Sequence, residues 1–217
     1  MRSYVLCAGL AGLLCLSASA SAAIVGSTGQ VQVISAPGDA QLEALTSADW
    51  IRAWNEQQDF VLTNELGYDA VAPGVYDQPS DLGNFGLAAG TRLASHYIHF
   101  DSPGSTAATA EGTVTFSHRI IAVICRGDNA ANLNGKLDRS DFLGAPTLYS
   151  DNVEARGLEL GANADRFVIS PNGKSIGVRF GITFPGDYMR VLTEVPAPSS
   201  AMTAFAALGL LGRRRRP

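Results

Sequence analysis

Three cysteines and three histidines are all that the 217 residues contain, and where they stand excludes more than their scarcity does. Cys7 and Cys15 lie in an apolar N-terminal run that reads as a cleaved leader. Cys125 would then remain alone, and no intramolecular disulfide staples the exported chain. Leu6 and Leu14 precede the leader cysteines where a lipobox requires a small residue, so a lipid-anchored N-terminus is excluded as well. Cys125 itself, inside the apolar run 120–125, reads as a small buried hydrophobe. A three-histidine metal site would need His96, His99 and His118 together. On a strand His96 and His99 point to opposite faces, which argues against that site, whereas His99 and Asp101 share a side and offer a hydrogen-bonded pair. The chain also lacks a G-x-S-x-G elbow, a phosphate-cradling glycine loop and an H-E-x-x-H helix. It is read as a non-enzymatic protein.

Basic charge is scarce wherever it would matter for nucleic acid. Of 16 basic residues, Arg2 and Arg213 to Arg216 lie in the two terminal segments, which hold no acid. The body between them keeps 11 basic against 20 acidic residues, a net charge of −9. Such a surface has no basic stripe with which to release counterions from a phosphate backbone, so nucleic acid is excluded as a partner.

What is present is most distinctive at the two ends. Residues 195–217 fall into three pieces: a proline-broken hinge with Val195, Pro196, Pro198 and Ser199, an uncharged apolar run over 201–212, and Arg213, Arg214, Arg215 and Arg216. The prolines stop a helix or central strand from running out of the preceding body. As a helix the 12 apolar residues would cover about 18 Å of a hydrocarbon core about 30 Å thick, too little for a comfortable permanent anchor. The arginines are held at the cytoplasmic face by the cost of burying them in hydrocarbon. This order of parts resembles the PEP-CTERM sorting signal of exported bacterial proteins, with Ala197 standing where that signal usually has glutamate between the prolines. The resemblance implies an exosortase as processing protease and a transient membrane association.

The N-terminus agrees with export. Arg2 supplies a positive start, residues 4–16 are apolar, and residues 17–23 (SASASAA) offer the small residues of a signal-peptidase site, with cleavage expected after Ala22 or Ala23. The organisation is therefore a signal peptide over 1–22, a body over 23–194 and a sorting signal over 195–217. The expected location is the cell envelope or outer surface of a bacterium, reached through an inner-membrane intermediate.

The body reads as β. Residues 30–35 (QVQVIS) alternate at period two, and 50–55 and 59–64 read as two extended segments. Residues 68–90, rich in proline, glycine and aspartate, read as a long surface excursion of weak order. Strands are predicted over 92–100, 112–117, 119–125, 156–160, 166–170, 175–180 and 187–194. Asn172-Gly173 supplies positive backbone dihedrals for a tight hairpin between two of them. A short helical turn is expected after Asp138, capped by that residue and stopped by Gly144 and Pro146. About nine short strands without a βαβ rhythm predict a single antiparallel β-sandwich or jelly-roll domain. The segments HFD (99–101), GTVTF (112–116), IIAVI (120–124), SDFLGAP (140–146), RGLEL (156–160) and RVLTEV (190–195) resemble a recurring body of PEP-CTERM surface proteins. That resemblance implies a shared fold and no activity.

Two further features bear on binding. Asn132, Asn134, Gly135, Asp138 and Asp141 echo positions 3, 5, 6, 9 and 12 of a calcium loop. Ala130 at position 1 and an aspartate at position 12 weaken it, so an ordinary Asn/Gly-rich loop is favoured and any calcium there would be structural. Trp50 and Trp54 offer sugar-stacking rings, with tryptophan in a sandwich core as the commoner alternative. The expected role is a structural or adhesive surface or matrix protein. The alternative is a carbohydrate-binding module with extracellular polysaccharide as partner, and more remotely a glycan hydrolase working through acid pairs such as Asp138 with Asp141 or Glu154 with Glu159.

Overall fold

Strands that bury one face and strands that bury both divide this molecule, and the division decides where a ligand can approach. The computed structural model describes residues 22–127, 136–150, 156–161, 165–182 and 186–195, all within one unit spanning Ser21–Pro196. In chain order the strands are β1 (Ile24–Gly29), β2 (Val31–Val33), β3 (Asp39–Ala40), β4 (Ile51–Asn55), β5 (Phe60–Val61), β6 (Leu66–Tyr68), β7 (Gly74–Tyr76) and β8 (Phe85–Leu87). They continue as β9 (Arg92–Phe100), β10 (Ala108–Phe116), β11 (Ile120–Ile124), β12 (Leu148–Tyr149), β13 (Arg166–Ile169), β14 (Ser175–Ile182) and β15 (Asp187–Glu194). Helical structure among the described residues is confined to two 3₁₀ turns, Pro79–Asp81 and Asp138–Leu143. The chain is all-β.

Two sheets carry most of the strands: a five-stranded one ordered β1-β10-β14-β13-β7 and a six-stranded one ordered β11-β15-β9-β4-β2, with β5 as its sixth strand also paired to β9. Within these two sheets pairing is antiparallel except between β2 and β4. In the five-stranded sheet, burial alternates along β13 and β14, with Phe167, Ile169, Ile176, Val178, Phe180 and Ile182 inward and their neighbours facing outward. That is the signature of a sheet covered on one side. In the six-stranded sheet, β9 is buried at every position after Arg92, and β15 at every position before Glu194. One apolar cluster takes Ile98, Phe100, Met189 and Val191 together with Phe116, Phe167 and Phe180 of the five-stranded sheet. A second cluster takes the opposite face, with Leu93, Tyr97, Tyr188 and Leu192 joined by Trp54, Leu137, Leu143 and Tyr149. Strands with apolar groups on both faces need cover on both, which the loops and small sheets after β2, β5 and β11 supply.

Local signals explain several of these elements. The β13–β14 hairpin turns where the Gly173 amide donates to the Ser170 carbonyl at 2.8 Å, with Pro171 supplying its restricted φ inside the turn. Only Gly173, at φ +67°, takes the left-handed conformation; Asn172 instead accepts from the Lys174 amide through its side chain at 2.9 Å. The short turn after residue 137 forms as expected and ends at Gly144, but Leu137 occupies its N-cap position and Asp138 does not cap it. Residues 68–90 depart most from expectation. They contribute β7 and β8, and they bury Asp69, Ala70 and Tyr76. Residues 156–160 form no strand, only isolated bridges at Gly157 and Leu160. β1, which has no strong alternation of its own, forms by pairing with β10 across more than eighty residues, Ile24 opposite Phe116.

Candidate functional site

The second apolar cluster encloses a knot of charge. Arg190 projects from β15 on the same side as Tyr188 and Leu192, and its guanidinium meets Glu56, which follows directly after β4. Nε donates to Glu56 Oε2 at 2.8 Å and Nη2 to Oε1 at 2.9 Å, a two-pronged ion pair with both side chains wholly shielded from solvent. The Tyr149 and Ser95 hydroxyls donate hydrogen bonds to the same carboxylate. The remaining guanidinium nitrogen donates to the Leu137 carbonyl at 3.1 Å and to Ser140. Burial works against the Arg190 charge, but Glu56 and the rings of Tyr97 and Tyr149 outweigh it, and the guanidinium pKa is raised. Tyr149 is raised too, first by burial and then by the Glu56 charge. Asp141 extends the knot: it accepts from Arg156 at 2.6 and 2.8 Å and from Arg190 at 3.3 Å. The Glu56 and Asp141 carboxylates are both engaged by arginine, so this knot ties β15, the end of β4 and the turn over 138–143 together.

A second charged device ties the stretch after β6 to the end of β11. Asp69, fully buried, accepts from the backbone amides of Cys125 and Arg126 at 2.9 and 3.1 Å, and from the side chains of Arg126 and Lys136 at 2.8 and 2.7 Å. Lys136 also donates to the Tyr68 carbonyl at 2.7 Å. A third pair, Asp165 with Asp187, is buried, and among the described residues neither forms an ion pair with a cation. Asp165 accepts from the Gly181 and Glu159 amides at 2.8 and 3.0 Å. Burial pushes the Asp187 carboxyl well up, and the neighbouring Asp165 charge adds to it.

The residues singled out from the sequence scatter. Trp54 is wholly buried, its ring 5.1 Å from that of Tyr97, and presents no face to a sugar. Trp50, 45 % exposed, remains open to solvent. His96 and His99 do face opposite sides of β9: His96 lies against Phe116 between Asn55 and Thr193, and His99 lies against Tyr188 with its Nε2 on the Leu45 carbonyl, 3.2 Å away. Asp101 turns to the Glu43 amide at 2.8 Å rather than to His99. Burial lowers the two histidines to about 3 and about 4 respectively, so both are neutral. Among the described residues no group of three His, Cys, Asp or Glu side chains is placed to hold a metal. Of the calcium-loop residues, Asp141 is committed to arginine, while Asn132 and Asn134 lie outside the described residues. So do Glu154, the leader up to residue 21, and Pro196, Pro198, Ser199 and Arg213 to Arg216 of the tail.

Among the described residues, a concave feature lies open to solvent. On the outward face of the five-stranded sheet, a groove of about 400 Å³ runs from Gln30 at the end of β1 across β10 and β14 to β13. Its floor is Gly177, which sits between Thr113 on one neighbour and Val168 on the other. A methyl group there would find only Thr113 Oγ1 at 3.7 Å and Val168 Cβ at 4.0 Å, so the missing side chain is what makes the depression. The next row of the same face places Glu111, Arg179 and Arg166 directly opposite one another on the three strands. Gln30 is held at the rim by donating to the Asp49 carbonyl at 3.0 Å. The sequence carried one sign of this face, the alternation SIGVRF with glycine in an outward position; the opposing residues could not be named without the register. No protein-family model matches the chain, and no curated protein or solved structure matches it.

Proposed function

We propose that this chain is an exported, non-enzymatic protein of a bacterial envelope or extracellular matrix, built as a β-sandwich of the jelly-roll type and acting by holding polysaccharide. The sandwich reading draws on the apolar cluster shared by the two large sheets. Export rests on the leader-like residues 1–22 and the PEP-CTERM-like tail with Pro196, Pro198 and Arg213 to Arg216; signal peptidase and an exosortase are the processing partners.

The groove on the five-stranded sheet carries the binding role. Its volume of about 400 Å³ falls within the range of ligand sites, roughly 300–1,000 Å³. It opens along the sheet, as an extended chain requires, while the described charged groups inside the molecule are committed to holding the fold. Glycan-array binding that Gly177→Val abolishes supports the reading; saturable binding that survives this variant, or none at all, counts against it. The tail is tested by intact mass of the protein recovered with and without the exosortase, where arginines retained in both strains would sink the sorting assignment.

A second reading, a module that stacks sugars on an aromatic, has one observation in its favour, the exposed Trp50. Trp50→Ala separates it from the groove reading.

A further inference from the structure

We infer that the groove selects an acidic polysaccharide, one bearing carboxylate or sulfate groups, through Arg166 and Arg179; this rests on the reading of the groove as the binding face. Three observations converge. First, among the described residues the lining mixes charged and polar side chains with two valines and carries no aromatic ring. Neutral sugars gain much of their hold on a protein surface by lying against an aromatic face, and here that contribution is missing. Binding strength has to come from hydrogen bonds and charge instead.

Second, Arg166 and Arg179 stand directly opposite each other on β13 and β14. Side chains so placed start about 5 Å apart, and like charges in that position oppose sheet formation. Arg179 has Glu111 opposite on its other side, on β10, and further interactions elsewhere in the chain. Arg166 is exposed, and among the described residues no carboxylate lies within ion-pair distance of it. The row as a whole carries one net positive charge. An anionic group seated between the two guanidinium forks would relieve the repulsion and accept hydrogen bonds from planar donors suited to carboxylate or sulfate oxygens.

Third, the shape suits a chain rather than a free ion. From Gln30 to β13 the groove crosses three strand gaps, about 14 Å at the usual strand spacing. Thr113 and Gln30 line the path with hydroxyl and amide groups able to meet sugar hydroxyls, and Gly177 lets a ring approach the backbone. The net −9 of the body repels a polyanion at a distance, but at physiological salt that field is screened within about 8 Å, so groups in the groove decide the contact.

The test uses the full chain and matched polymers: polygalacturonate against its methyl ester, and dextran sulfate against dextran, by affinity electrophoresis and calorimetry. The expected result is that at least one charged polymer binds about tenfold or more tighter than its neutral counterpart, and that Arg166→Gln removes the difference. The unfolding midpoint of that variant should be unchanged or raised, since it also removes a like-charge contact. Gly177→Val, with room for its side chain, should abolish binding of every polymer. If charged and neutral polymers bind alike and Gly177→Val abolishes both, the groove stands and its preference for acid is overturned. If Gly177→Val changes nothing, or no polymer binds, the groove reading falls and the preference falls with it.

Discussion

Glu56 and Arg190 show what one carboxylate contributes once it is out of water. Glu56 receives two guanidinium bonds and two hydroxyl bonds in a region where neither partner touches solvent. Removing one partner leaves the other charged and buried, so Glu56→Ala or Arg190→Met should lower unfolding stability by about 3–5 kcal/mol in urea titrations. Replacing both by leucine should recover much of that loss, because the orphaned charge disappears with its partner. A strictly additive double variant would show that the two do not act as a pair. The buried histidines make a separate prediction. His96 and His99, held near 3 and 4, bind protons in the unfolded chain from about pH 6.5 downward while the folded chain refuses them. The stability they confer is complete above pH 6.5 and is lost as pH falls toward 4 and 3, at up to about 1.4 kcal/mol per pH unit for each ring. Asp187 works in the opposite sense. Its raised carboxyl favours the fold at acid pH, and that contribution is lost as pH rises above the ordinary carboxylate range. Asp187→Asn, which keeps a donor toward Asp165, should therefore gain stability at pH 7 to 8 relative to the parent and show little gain near pH 3. Equal effects at both ends of a pH series of urea midpoints would contradict the assignment.

At the scale of elements, the β13–β14 hairpin and the groove depend on two glycines for different reasons. Gly173 closes the turn at φ +67°, a conformation that side chains with a Cβ rarely adopt, so Gly173→Ala should cost about 1 kcal/mol or more. Gly177, in the adjoining strand, has ordinary contact distances around a built Cβ. A β-branched residue there should fold normally and gain a little strand propensity, while losing the depression. Thermal unfolding of the two variants side by side separates them: a drop at 173 and none at 177 is expected, and equal drops would mean the sheet is tighter at Gly177 than its neighbours indicate. The same elements show how strands were read from sequence. β9 and β15 have long runs with clear limits and could be bounded from sequence. β7 and β8 are three residues each, too short for period two to register. β7 is a strand because it pairs with β13, Val75 opposite Val168, and residues 68–90 are held down by Asp69 accepting from the Cys125 and Arg126 amides just after β11.

The whole molecule is assembled from distant pairings. β1 meets β10, β9 meets β15, and Glu56 meets Arg190 at a separation of 134 residues. Closing such loops before their contacts can form makes folding slow, and refolding by stopped-flow should take milliseconds to seconds. Completion in microseconds would mean that local structure carries more of the fold than the sheet order indicates. Alternation of apolar residues, the turn between 170 and 175 and the acidic balance of the body are properties of neighbours in the chain, and these the amino-acid order determined by itself: an all-β body with a hairpin over 166–180. The burial of Trp54, the partners of Glu56 and Asp69, and the groove over Gly177 were decided only by tertiary structure. A side chain's dielectric surroundings, and the depth left by a missing one, depend on what the sheet register places opposite it, and that residue lies scores of positions away along the chain.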